Sequence, residues 1–317
     1  MTPPEGRSEP GPAERELTPL ERRMKTFAEV LGIGALPPSI AVGLLFYFGY
    51  VASRRRFAEF GLDLDILDLS TQAVLLYGSE ALWFPLVALF LVTLLGLWAH
   101  VELARLVRRS RAGARGRALT WWGAAVLAAG LALLARGVLG VVDPHIAYDE
   151  FPGTTPVCLG LGALVGAYGR WLVTWRRDGG RRLAERAAVA VAVSVAVAAL
   201  FWASASYAVA YGRDRAATFV GELATRPEVV LDTTEPLALG PEFAGVTESR
   251  LTPGKGGRFT HRYRKLRLLT ESGGRLFLIP AAWPQGPRWP RVWRGGGTLV
   301  VPYGDSIRIR VLPYAGP

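Results

Sequence analysis

The acidic residues in "FGLDLDILDLS" raise the first chemical question. Asp63 and Asp65 alternate with Leu62, Leu64 and Ile66, so an extended segment would turn both carboxylates to one side. Asp68 breaks the alternation. Clustered oxygens suit hard cations, and a calcium loop of the EF-hand kind needs oxygen ligands at positions 1, 3 and 5, Gly at 6 and Glu at 12. Counted from Asp63, position 5 is Leu67, position 6 is Asp68 and position 12 is Val74, so that motif fails. A looser cation site would need Asp63 and Asp65 to converge with Glu80, Asp143, Asp149 and Glu150. The structural alternative has Asp68 or Ser70 cap a helix that starts near "STQAVLLYGSEALWF", with Leu69 packed on Val74 as a hydrophobic staple.

A second candidate is Arg136, in the apolar run "LALLARGVLGVVD". It lies seven residues before Asp143, about 10 Å along a helix. A charge inside a membrane span marks a functional site by default. Against that, an arginine so close to the end of a span can snorkel to the interface, and Asp143 and Glu80 are candidate partners for it. The only cysteine, Cys158, permits neither an internal disulfide nor a thiolate metal cluster. His261 lacks a paired ligand motif. A nucleophile elbow, an HExxH helix, a P-loop and a CxxC pair are all missing, so the usual enzyme classes drop out and no cofactor is expected. In "AAWPQGPRWPRVWRGGG", Trp283, Trp289 and Trp293 would close a small core, sit at a membrane interface, or form a binding surface; the first two are preferred.

The elements that must position these residues are mostly apolar. Half of the 317 residues are hydrophobic although 37 are Lys or Arg, which implies greasy blocks separated by charged ones. A bilayer crossing needs roughly 20 apolar residues. Segments 28–52, 81–104, 119–142, 157–175 and 187–211 meet or approach that length. Residues 57–80 then form an outer re-entrant or interfacial segment, and Pro37 and Pro38 should interrupt the first span. Gly162 and Gly166 have the small-xxx-small spacing of close helix packing. Residues 1–27 are polar and rich in Pro, Glu and Arg, a disordered tail before the first span rather than a cleaved signal.

Basic residues near the spans assign the sides. Arg105, Arg108, Arg109, Arg111, Arg115 and Arg117 follow the second span, and Arg170, Arg176, Arg177, Arg181, Arg182 and Arg186 surround the fourth connection. With Arg22, Arg23 and Lys25 they outnumber the outer Arg54, Arg55 and Arg56 by fifteen to three. Five crossings therefore put the N-terminus in the cytoplasm and the C-terminus outside. The net charge of +11 rests almost wholly on arginine and borders the spans, unlike the single basic face of a nucleic-acid binder.

Beyond residue 211 the pattern shifts to strands. Ala216, Phe219, Val220 and Leu223 suggest a short juxtamembrane helix. "EVVLDTT", "RFTHRYRKLRLLTES", "GRLFLIP", "TLVVPY" and "DSIRIRVLP" read as strands, and Gly273-Gly274 supplies the positive φ angles of a tight hairpin. The expected architecture is an α-helical membrane bundle of about five spans (28–211) followed by a small β-rich extracytoplasmic domain (212–317). From residue 213 that domain carries sixteen basic and nine acidic residues. It would suit anionic lipid, a cell-wall polymer or another membrane protein as a partner beside the lipid bilayer. The stretch from "FGLDLDILDLSTQAVLLY" into "ALWFPL" resembles a family of uncharacterised multi-pass membrane proteins of actinobacteria. The resemblance implies residence in the bacterial inner membrane and no known activity. Two functional expectations follow. One is a non-enzymatic membrane protein whose outward β-domain binds, senses or scaffolds. The other is a small transporter or channel subunit that uses Arg136 and the outer carboxylates.

Overall fold

The computed structural model describes residues 37–109, 114–143, 145–146, 150–174, 182–252, 257–283 and 296–313. Residues up to Leu44 form one unit and Leu45–Pro317 another. Of the first, residues 37–44 are described, and they hold the start of helix α1, Pro38–Ala58. That helix begins at Pro38, where the missing N–H costs nothing because the first turn has no intrahelical acceptor for it. The segment 28–36 lies outside the described residues.

Leu45–Pro317 continues α1 and adds five helices: α2 Leu64–Leu67, α3 Thr71–Arg109, α4 Ala114–Val142, α5 Thr154–Thr174 and α6 Arg182–Gly221. Among the described residues four helices are long and apolar enough to cross a membrane: Thr71–Arg105, Thr120–Val142, Thr154–Thr174 and Glu185–Gly221. Helix α1 is not one of them, so the expected count of about five is met only to four. Their apolar side chains face outward. Leu86, Phe90, Leu95, Trp121 and Val197 are all more than half exposed, an arrangement that suits helices surrounded by lipid. Trp83 and Trp98 are fifteen residues apart on α3 and both exposed, about 22 Å along the axis. That suits aromatic anchors near opposite faces of a hydrocarbon layer.

Helix contacts alternate in direction. Gly49 of α1 meets Val74 and Gly78 of α3, and Ala52 meets Gly212 of α6. Gly130, Gly137 and Gly140 of α4 meet Gly166, Leu159 and Thr155 of α5. A Cβ on Gly130 would overlap the backbone of Gly166. These helices therefore touch main chain to main chain, and the expected small-residue face is real. One end of the bundle gathers the segment after α1, the start of α3, the turn between α4 and α5, and the end of α6. The end of α3, the start of α4, the end of α5 and the start of α6 lie at the other end.

Helix α6 does not stop at the membrane. It runs for 40 residues, about 60 Å against a hydrocarbon core of about 30 Å. The expected separate juxtamembrane helix is its last turns, which bury Ala216, Phe219 and Val220. The chain then enters an antiparallel six-stranded sheet: β1 Glu228–Thr233, β2 Thr247–Arg250, β3 His261–Ser272, β4 Arg275–Pro280, β5 Leu299–Pro302 and β6 Ile307–Leu312. The order is β5-β4-β3-β1-β6, with β2 beside β3. Ser272 faces Arg275 across the turn, with Gly273 at φ 57° and Gly274 at φ 68° as the hairpin requires. The short, fully exposed β2 carries no apolar alternation and was not expected from the sequence.

The sheet has two cores. Val229, Leu231, Tyr263, Leu266, Leu276, Leu278 and Val301 fill one, with Leu237, Leu239 and Val246 packed against it. The Tyr263 hydroxyl accepts from Leu237 N–H at 2.8 Å, so the ring's polar tip is satisfied inside. The second core joins the sheet to the helix ends. It comprises Phe57, Phe60, Leu62, Leu64 and Leu67, then Ala216, Phe219, Val220 and Leu223, then Leu269, Phe277, Ile279 and Trp283. Each large side chain buried there contributes roughly 1.5–3 kcal/mol. The "FGLDLDIL" segment is thus a wedge between α6 and the β3–β4 hairpin.

Candidate functional site

Among the described residues the largest concentration of ion pairs lies on the sheet, at a residue the sequence did not single out. Asp232, in the apolar strand β1, has a fully buried side chain. Strand register sets Arg262 of β3 and Arg308 of β6 directly opposite it on either side. Arg262 donates from Nε to Oδ1 at 2.7 Å and from Nη2 to Oδ2 at 3.2 Å. Arg308 donates from Nε and Nη2 to Oδ2 at 3.1 and 2.6 Å. Arg310, two residues along β6, adds Nη2 to Oδ2 at 3.3 Å. The Arg308 guanidinium lies 4.7 Å from the centre of the Phe259 ring, a cation–π contact.

Burial alone would raise the Asp232 carboxyl. The hydrogen bonds from Arg262 and Arg308, with the charges of Arg262 and Arg310, outweigh burial and hold it below the usual carboxylate range. Three guanidiniums face one carboxylate, which leaves two positive charges in excess. Their exposure differs: Arg262 is 22 % exposed, whereas Arg308 and Arg310 are 49 % and 46 % exposed. One arginine fastens the carboxylate while two present charge to solvent. The signal in the sequence was the pair of alternations, Arg262/Arg264 and Arg308/Arg310, which gain meaning only once both strands flank the aspartate.

The sequence candidates fare differently. Asp63, Asp65 and Asp68 do not lie along an extended strand. Asp63 precedes the short helix α2, Asp65 is in its first turn, and Asp68 ends it in the left-handed region at φ 47°. The helical path sends Leu64 and Leu67 into the core and leaves all three aspartates in solvent. Asp68 O instead accepts from Ser272 Oγ at 3.0 Å. Ser70 caps α3 as expected, its Oγ accepting from Ala73 N–H at 3.2 Å. Among the described residues no three His, Cys, Asp or Glu side chains are grouped to hold a metal. Asp149, one of the candidate ligands, is outside the described residues.

Arg136 pairs with Glu150, from the turn before α5, and not with Glu80 or Asp143. Asp143 accepts locally from His145 N–H at 3.0 Å. Glu80 accepts from Tyr211 Oη at 2.9 Å and Arg215 Nη2 at 3.1 Å, which ties α3 to α6. Arg136 Nη1, Glu150 Oε2 and Thr155 Oγ1 are buried without hydrogen bonds among the described residues. The arginines at the end of α1 are partly compensated: Arg55 meets Glu59 at 2.7 Å, and Arg56 stacks on Tyr77 and Phe57.

Trp283 is buried against Phe60, ring centres 5.5 Å apart, and so closes the core. Trp289 and Trp293 fall outside the described residues. His261 lies near Glu248 at 3.8 Å and Thr260 at 2.9 Å. Compared with known proteins, the chain matches no family model, no curated protein and no solved structure.

Proposed function

We propose that the chain is a non-enzymatic protein of the bacterial inner membrane whose sheet is an outward-facing binding module, held at the surface by the helices. The observation that carries this reading is the arginine cluster on Asp232. A fully desolvated carboxylate is costly, and here it orders guanidiniums whose heads stay half in water, as a recognition surface requires. The second core supports it, because a binding surface gains from a rigid mount.

The topology belongs to the same proposal. Segment 28–52 would be the fifth crossing, the N-terminus would be cytoplasmic, and the sheet extracytoplasmic. The support is the basic bias of the connections between α3 and α4 and between α5 and α6, together with the Glu59 ion pair that offsets Arg55 and the rings of Phe57 and Tyr77 against Arg56. The transporter reading is less well supported, since Arg136 already has a carboxylate and the outer acids diverge.

Cysteine labelling tests the reading. In a Cys158→Ser background, Glu271→Cys on the exposed end of β3 should react with a membrane-impermeant maleimide in intact spheroplasts. Arg186→Cys, at the other end of the bundle, should react only after lysis. The reverse pattern would place the sheet in the cytoplasm and end the proposal.

A further inference from the structure

Resting on that reading, we propose that Arg308 and Arg310, aligned by Asp232 and Arg262, bind the phosphate groups of an anionic polymer outside the membrane. Ordinary surface arginines are mobile and need no buried counter-charge. Here Asp232 takes both donors of one edge of Arg262 and of Arg308, and Phe259 supports the Arg308 plane. The entropy of ordering these long side chains is therefore already spent before an anion arrives. Among the described residues, Arg308 Nη1 and Arg310 Nε and Nη1 carry no hydrogen bond, so both heads retain donors.

The spacing selects the anion. Arg308 and Arg310 are two residues apart on one strand, about 6.6 Å, so their forks approach from different planes. A tetrahedral phosphate can accept from both, whereas a planar carboxylate suits a single fork. The placement selects the source. Ser272, at the hairpin end of β3, is fixed to Asp68 beside the start of α3. Arg267 of β3 donates from Nε to Leu223 O just past α6 at 2.9 Å, and Arg262 lies five residues further along the strand, about 16 Å from that contact. The cluster thus lies along the part of the sheet that leads away from α6, which favours a polymer over the headgroups of the protein's own membrane.

The test uses the full chain in nanodiscs of zwitterionic phosphatidylcholine, with inorganic polyphosphate as probe and polyglutamate as a carboxylate control. Polyphosphate should bind and polyglutamate should bind much more weakly. Arg308→Gln/Arg310→Gln should weaken polyphosphate binding about tenfold or more, the effect expected for loss of charge-assisted hydrogen bonds. Arg308→Lys, which keeps the charge and loses the fork, should also weaken it. Hydrogen-exchange protection of β1 and β3 verifies that each variant retains its sheet. The inference is overturned by absence of binding, by equal binding of polyglutamate, by variants that bind like the parent, or by binding that appears only when anionic phosphatidylglycerol is added to the discs. Any of these results with Glu271→Cys still labelled from outside would remove the phosphate assignment and leave the outward module standing.

Discussion

Asp232 shows how a single buried charge organises its neighbours. Its carboxylate is shielded from water by strands on both sides and compensated by three guanidiniums, so removing it and removing one partner should have unequal effects. Asp232→Ala should destabilise the sheet by about 3 kcal/mol, because the best-ordered charged hydrogen bonds of the domain are lost together. Arg310→Gln, at a half-exposed position with one long contact, should cost under about 1 kcal/mol. Thermal unfolding of the sheet in the full chain measures both. The pH dependence follows from the lowered carboxyl. The unfolded group titrates near 3.9 and the folded one lower, so its stabilisation is fully present above the unfolded value. It is lost as the pH falls through the folded value. Asp232→Asn should flatten this acid-side loss while lowering stability at neutral pH. None of this was legible in "EVVLDTT" alone, where the aspartate reads as the end of a strand. Its role depends on which two strands become neighbours, and local periodicity does not encode that pairing.

The elements themselves were easier to read. Lipid and a sheet core impose periodicities and lengths that sequence displays directly, so the long apolar helices, the Gly273-Gly274 hairpin and the alternating last strand were all anticipated. The misreadings concern short pieces. Leu62, Leu64 and Leu67 follow no regular period, because one short helix rolls them into a core built by residues over 150 positions away. Strand β2 is exposed and held by main-chain pairing with β3, so it has no hydrophobic signature. The helix contacts give a further prediction. Gly130→Ile would force α4 from the backbone of Gly166 and should cost about 1–3 kcal/mol or more, as overpacking does. Gly96→Ala, on a stretch of α3 with open space around it, should be neutral. Thermal aggregation of the two variants in the same detergent distinguishes them.

At the scale of the molecule, the sheet, the segment after α1 and the end of α6 share one core and form one folded body. Phe60 contacts Phe219 of α6 and Trp283 of the sheet side, with ring centres 5.7 and 5.5 Å apart, and its carbonyl accepts from Thr298 Oγ1 at 2.7 Å. A sheet mounted in this way moves with α6 and not on a tether. Hydrogen exchange of the full chain in nanodiscs tests this most directly, using Phe60→Ala, a truncation expected to cost about 3–5 kcal/mol. Amides of β3, β4 and the last turns of α6 should lose protection together, while α4 and α5 stay unchanged. If the sheet keeps its full protection and only residues near position 60 loosen, the sheet is an independent domain and the common core does not exist.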